Sequence, residues 1–173
     1  LSQLIEISTR VPILVARQES IFVDQLVPAL AEQGIEIIPW SELSEPDRNR
    51  MRQYYDERIF PVLTPLAVDP GHPFPYISNL ALSIAAHVAD PETAARRFVR
   101  LKIPDVFPRL IPLGDGRFVP AEEVIAALLH TLFVGMVVEE WTVFRVTRNA
   151  DLTLEEDEAD DLLEAVELEL RKR

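Results

Sequence analysis

The chain has 173 residues, 48% hydrophobic, 27% charged and 8% aromatic, with fourteen prolines, five glycines and no cysteine. That apolar share excludes a disordered chain, no run approaches the ~18 apolar residues of a membrane span, and the missing thiols exclude a disulfide scaffold, a thiolate metal site and a cysteine nucleophile. The net charge of −12 argues against a nucleic-acid binder, because the overall field repels phosphate polymers.

Leu4, Ile7, Val11, Leu14, Phe22, Leu26 and Leu30 recur at three- and four-residue steps, the stripe of an amphipathic helix. Pro12 and Pro28 interrupt it, which predicts a kink or a split into a helix pair, and Gly34 ends it as a C-cap. Ile35 to Trp40 reads as a short strand. Ser44, followed by Glu45-Pro46-Asp47, starts a second helix with a capping hydroxyl, early carboxylates and a first-turn proline, and this helix runs to about Phe60.

Residues 61–75 hold five prolines, a density that predicts a stiff extended loop and forbids a helix or a central strand. Leu80–Val88 and Phe98–Ile103, joined across Asp90-Pro91-Glu92-Thr93, read as a β-hairpin. Gly114-Asp115-Gly116 is a turn, Ala121–Phe133 a helix, Met136–Val146 a strand rich in β-branched and aromatic residues, and Leu154–Leu170 a last helix. The order predicts an α+β fold: a mainly antiparallel sheet with packed helices, split β-α-β-like, after a long N-terminal helix or helix pair. The chain opens at Leu1 inside one helical pattern and closes on Arg171-Lys172-Arg173 at the end of another, which reads as part of something longer.

Charge is uneven along this order. Residues 151–173 carry ten carboxylates against three basic side chains, whereas residues 91–120 carry six basic side chains against three acidic ones. A local basic face on an acidic body is therefore an expectation. Of the three histidines, His87 falls in a strand and His130 in a helix, without the spacing of a metal or catalytic pair, and a solvated or core role suits both. His72 stands in the proline loop, where functional residues are common.

No serine or threonine sits in a nucleophile elbow, and no glycine-rich loop precedes a helix. The run Glu155-Glu156-Asp157-Glu158 at a helix start complements the dipole and solvates an outer face. Arg145 and Arg148 lie three apart at the end of a strand. Arginine holds phosphate in a fixed fork, and it equally pairs with neighbouring carboxylates; both readings stay open here. No self-contained active site emerges.

Several motifs carry a family resemblance. The stretch from Tyr55 through Asp69, then His72-Pro73-Phe74-Pro75-Tyr76-Ile77-Ser78-Asn79-Leu80, resembles the bacterial polyphosphate kinases that work through a phosphohistidine. So do Arg100-Leu101-Lys102-Ile103-Pro104, Arg117-Phe118-Val119-Pro120, and Phe144 through Asp151 leading into Glu155–Leu163. The resemblance implies that residues 34–173 are the family's head, or middle, domain, and that residues 1–33 end its helical N-terminal domain. The implied reaction is reversible transfer of the ATP γ-phosphoryl group to the end of a polyphosphate chain with Mg²⁺. The phosphorylated histidine and its helper belong, in the family, to C-terminal domains resembling phospholipase D, and the family's nucleotide-holding Asn motif would precede Leu1.

No catalytic role therefore falls on this chain, no cofactor is expected on it, and it should be inactive alone. Its implied part is architectural, in the polyphosphate tunnel and dimer contacts. Arg145 and Arg148, with Arg97 and Arg100 behind them, are the candidates for polyphosphate contact. His72 and Tyr76 are the candidates for an interface. The implied partners are other domains of the same enzyme, a second copy and polyphosphate, with neither nucleic acid nor a transmembrane segment. The implied location is the cytoplasm or the periphery of the inner membrane. The alternative is a stand-alone acidic interaction module whose helix 154–170 docks a basic partner.

Overall fold

The computed structural model describes residues 2–68 and 77–147. They form α1 (Ser2–Ile21), α2 (Val27–Glu32), β1 (Glu36–Ile37), α3 (Glu45–Tyr54), β2 (Pro65–Val68), β3 (Leu82–Ala89), β4 (Arg96–Lys102), β5 (Leu110–Gly114), β6 (Arg117–Pro120), α4 (Ala121–Ala127) and β7 (Val137–Arg145).

The N-terminal helix splits at its second proline. Pro28 has no N–H to give back along the helix. Ahead of it the chain widens into one π-helical turn, Phe22–Leu26, in which the Val27 N–H bonds to the Phe22 carbonyl, whereas α1 runs through Pro12 unbroken. Gly34, at φ +74°, ends α2 as expected. The α3 start is capped twice: the Asp47 N–H donates to Ser44 Oγ at 3.3 Å, and the Ser44 hydroxyl donates to Asp47 Oδ2 at 2.7 Å. Beyond Tyr54 the helix continues as a π-turn over Tyr55–Ile59 and a 3₁₀ turn over Phe60–Val62, close to its expected end.

The chain divides into two compact units. The first comprises residues 1–49 and 108–123. Its sheet has the order β1-β6-β5, with β1 parallel to β6 and β5–β6 an antiparallel hairpin around Gly114-Asp115-Gly116. β1 is shorter than the expected Ile35–Trp40 strand, because Pro39 lacks a donor and the chain turns into 3₁₀ structure at Trp40. Strands β5 and β6 were not expected, since Pro108, Pro112 and Pro120 interrupt their alternation. Asp47, 4% exposed, holds Arg117 Nη1 at 2.9 Å, and this hydrogen bond raises the arginine's pKa.

The second unit comprises residues 50–107 and 124–173. Its sheet has the order β2-β4-β3-β7, antiparallel throughout. Alternation along β3 buries Ile84, Ala86 and Val88 on one face, and the register places Leu101 opposite Ile84 and Val99 opposite Ala86. Met51, Tyr55, Ile59, Val124, Ile125, Leu128 and Leu129 are among the other buried side chains. Each such side chain stabilises the fold by about 1.5–3 kcal/mol. The Thr131 hydroxyl donates to the Leu128 carbonyl at 2.7 Å, which leaves its oxygen to accept from the Tyr55 hydroxyl at 3.0 Å. Burial is the main cause that pushes the Tyr55 pKa above its ordinary value.

The α+β class, the antiparallel sheet with packed helices and the leading helix are as expected. Two details differ. The strands sort into two sheets, and Pro65–Val68 of the proline-rich stretch form a strand, β2, not loop. It obeys the proline rule by lying at the sheet edge with Pro65 as its first residue. The expected helix over 154–170 lies outside the described residues.

Two predictions follow from this packing. Gly34 and Gly116 share φ +74°, yet a Cβ on Gly34 meets nothing within 4 Å, while one on Gly116 falls 2.0 Å from the Gly34 carbonyl oxygen. Gly34→Ala should therefore cost only the left-handed backbone term, about 1–2 kcal/mol. Gly116→Ala should cost at least about 3 kcal/mol, because main chain must move; equal costs in urea denaturation would refute this packing. Tyr55→Phe should lower stability at neutral pH by about 1 kcal/mol. Because the folded pKa of Tyr55 is raised, its contribution is present below pH ~10 and lost as pH climbs through the folded value, so the variant should show a shallower alkaline decline.

Candidate functional site

Strand alternation decides which arginines can share a face, and β3 serves as the ruler. Arg145, the last residue of β7, lies opposite Leu82 and is exposed. Arg97, near the start of β4, lies opposite Val88 and is also exposed. Both rungs belong to the same side of the sheet, but six residues of β3 separate them, roughly 20 Å at about 3.3 Å per residue. Arg100 lies opposite Ala85 on the other side. It is 4% exposed, its Nε and Nη2 each stand 3.4 Å from the Oγ of fully buried Ser83, and desolvation lowers its pKa. Arg148, His72 and Tyr76 lie outside the described residues.

The expected candidates therefore do not converge. Arg145 and Arg97 are two separated exposed cations, and Arg100 is a cation built into the sheet. The basic face expected over residues 91–120 is likewise dispersed. Arg96 Nε donates to Glu139 Oε2 at 2.6 Å, Arg109 Nη2 to Glu122 Oε1 at 2.9 Å, and Arg117 is bound to Asp47. Local charge counting could not foresee these partners, because each lies 13 to 70 residues away in the chain.

His130 lies exposed in the 3₁₀ turn Leu129–Leu132. His87 lies on β3 with Nε2 3.9 Å from Glu140 Oε1 and its ring edge-on to Phe98 at 5.5 Å. Sequence reasoning missed this cross-strand grouping. Its available signal was the hairpin: the Asp90 N–H bonds to the Ala95 carbonyl, and counting outward from that pair brings His87 to Phe98. Among the described residues no group of three or more His, Cys, Asp or Glu side chains could hold a metal ion, and no helix is long and apolar enough to cross a membrane. What the described residues offer is anion contact at exposed guanidiniums.

Comparison with known proteins gives this arrangement its context. The family model "Polyphosphate kinase middle domain" matches residues 46–173. The chain is 52% identical over 160 residues to a polyphosphate kinase of Streptomyces coelicolor, covering 92% of this chain and 21% of that protein. It is 49% identical over 183 residues to one of Synechocystis, covering 99% and 25%. The crystal structure of polyphosphate kinase from Porphyromonas gingivalis superposes with a TM-score of 0.69 at 26% identity, over 82% of this chain and 25% of that one. The chain thus spans about a quarter or less of the length of these relatives. With a matching model over most of its residues and relatives near half identity, the chain belongs to the polyphosphate kinase family, and its residues 46–173 are that family's middle domain.

Proposed function

We propose that this chain is part of an enzyme that lengthens polyphosphate, forming a P–O bond between the chain end and the ATP γ-phosphorus while the β–γ bridge breaks and ADP leaves. Its own part is architectural: it lines the polymer's path and contributes to contacts between subunits. The observation that carries this reading is the middle-domain match over residues 46–173. The described residues add a physical reason. Exposed Arg145 and Arg97, roughly 20 Å apart, cannot grip one compact phosphate together, but they can each touch a long polyanion. Spaced single contacts on an acidic body hold such a polymer weakly enough for it to advance.

The chemistry itself is assigned to parts of the enzyme outside this chain: the phosphohistidine, ATP and Mg²⁺. Among the described residues no group of three or more His, Asp or Glu side chains could hold a metal ion. On this reading the chain alone transfers no phosphoryl group. The domain border is placed at residues 33/34. Leu4, Ile5, Leu14 and Ile13 are all more than 60% exposed, and they do not share one stripe of α1. A helix apolar on more than one side is built to be enclosed, which suits membership of a helical domain upstream. The enzyme is placed in the cytoplasm or on the inner face of the membrane, as a homo-oligomer.

Charge reversal separates contact from scaffold. In the whole enzyme Arg145→Glu should leave stability within about 0.5 kcal/mol of wild type. It should nevertheless slow elongation and flatten the salt dependence of polyphosphate binding, as expected when one phosphate contact is lost. Unchanged elongation and salt slope would remove Arg145 from the polymer's path. Arg100→Glu should instead cost at least about 3 kcal/mol and unfold the sheet, because it exchanges a buried cation for an anion among the same partners.

A further inference from the structure

β7 is an edge strand: among the described residues only β3 pairs with it. Its nine residues include Val137, Val138, Trp141, Val143 and Phe144, yet none is buried, and Trp141 is 49% exposed. A long, exposed, apolar edge is a template for a further strand.

The ladder fixes which main-chain groups of β7 face outward. The Asp90 N–H bonds to the Ala95 carbonyl and the Ile103 N–H to the Leu82 carbonyl, so both ends of the β3–β4 ladder give the same phase: Ile84 and Ala86 turn their N–H and C=O groups to β4. Ser83 and Ala85 then bond to β7, at Phe144 and Thr142. This leaves the N–H and C=O groups of Trp141, Val143 and Arg145 pointing away from the sheet. At the opposite edge the same phase turns Pro65 of β2 outward, where it has no N–H to offer. In the three-stranded sheet the Ile38 N–H bonds to the Phe118 carbonyl, which turns Pro112 of β5 outward in the same way. Proline blunts both of those edges, and β7 contains none.

We infer that a second copy of this chain pairs with the edge, β7 against β7, antiparallel about a twofold axis between the two Val143 residues. The strand is self-complementary in that register. Val143 faces the partner's Val143, and Trp141 faces the partner's Arg145 on each side of the axis. Three directly opposed pairs supply about six main-chain hydrogen bonds. The guanidinium of each Arg145 lies against an indole, an attractive pairing, and no like charges oppose each other. Moving the axis to Thr142 would draw Glu139, at the bulge, into the ladder, whereas the Val143 axis uses only the regular part of the strand. An arginine stacked on a ring keeps its in-plane N–H groups, so contact with phosphate survives. The inference gives a place to the subunit contacts proposed above and rests on that reading.

Because the chain has no cysteine, Val143→Cys introduces a single thiol. Directly opposed, hydrogen-bonded residues have Cα atoms about 5.5 Å apart, within reach of a disulfide. Under mild oxidation this variant should give covalent dimers in clear excess over Thr142→Cys, one residue away, and over Ala67→Cys on the opposite edge. A yield no higher than either control overturns the inference. In sedimentation the unmodified chain should dimerise as its concentration rises. Trp141→Lys, at an exposed position, sets a cation opposite the partner's Arg145 and should weaken that dimer at least about tenfold. Association that Trp141→Lys leaves unchanged belongs to another surface, exposed α1 included, and overturns the inference, as does a chain that stays monomeric. Sedimentation of the whole enzyme keeps the two readings apart. An oligomeric enzyme beside a monomeric chain removes the β7 pairing alone, and a monomeric enzyme removes the subunit contacts with it.

Discussion

The two-residue alternation of β3 is the constraint on which the second unit depends. The strand lies between β4 and β7, so each of its residues fixes a rung on both sides. Ile84, Ala86 and Val88 point to the core, and this commits Val99 and Leu101 to the same face. Slipping the register by one residue would bury Ala85, His87 and Phe98 instead, at the expense of Ile84 and Leu101. The surface chemistry of the sheet is thus a by-product of core packing. Arg100 and Ser83 meet because Ile84 and Leu101 must, and Arg97 and Arg145 stay apart because Val88 and Leu82 do.

One irregularity relaxes that rule, and it lies next to the chemistry. Against β7 the register shifts between His87, which faces Glu140, and Val88, which faces Val138, leaving Glu139 without a rung. A bulge of this kind re-aims a side chain. The released Glu139 takes Arg96, which otherwise would be the natural partner of Glu140. Two adjacent glutamates thereby meet Arg96 differently: Glu139 Oε2 takes its Nε at 2.6 Å, and Glu140 Oε1 stands 3.9 Å from its Nη2.

The readable parts of the fold were those whose cause is local. Ser44 and Asp47 announce the start of α3 through a capping pattern four residues long, and Gly34 announces the end of α2 through the left-handed turn it permits. The β3–β4 hairpin was legible because its loop is short and its strands are rich in apolar residues. What was not legible depends on partners distant in sequence. The second sheet exists because Glu36 and Ile37 lie beside Arg117 and Phe118, some eighty residues on, and prolines hide the alternation of both members of the hairpin that completes it. The family motifs were recognisable without the geometry. Whether an arginine within them was a surface cation or a buried one was not, since Arg97 and Arg100 differ only by their place on the pleat.

That difference bears on how an acidic protein meets a polyanion. A chain of net charge −12 gives no long-range attraction, so any phosphate contact must be made by individual guanidiniums whose field is not already cancelled. Ion pairing removes Arg96, Arg109 and Arg117 from that role, and burial removes Arg100. Among the described residues of the sheet this leaves exposed positions such as Arg145 and Arg97, the latter felt by Asp90, far apart from each other. A tight phosphate site needs several donors converging within hydrogen-bond distance. A path along which a polymer slides needs the reverse, contacts far enough apart that releasing one does not require releasing another. The pleat of β3 enforces that spacing, because it puts the residues that would have gathered around one phosphate on opposite faces and at opposite ends of the sheet.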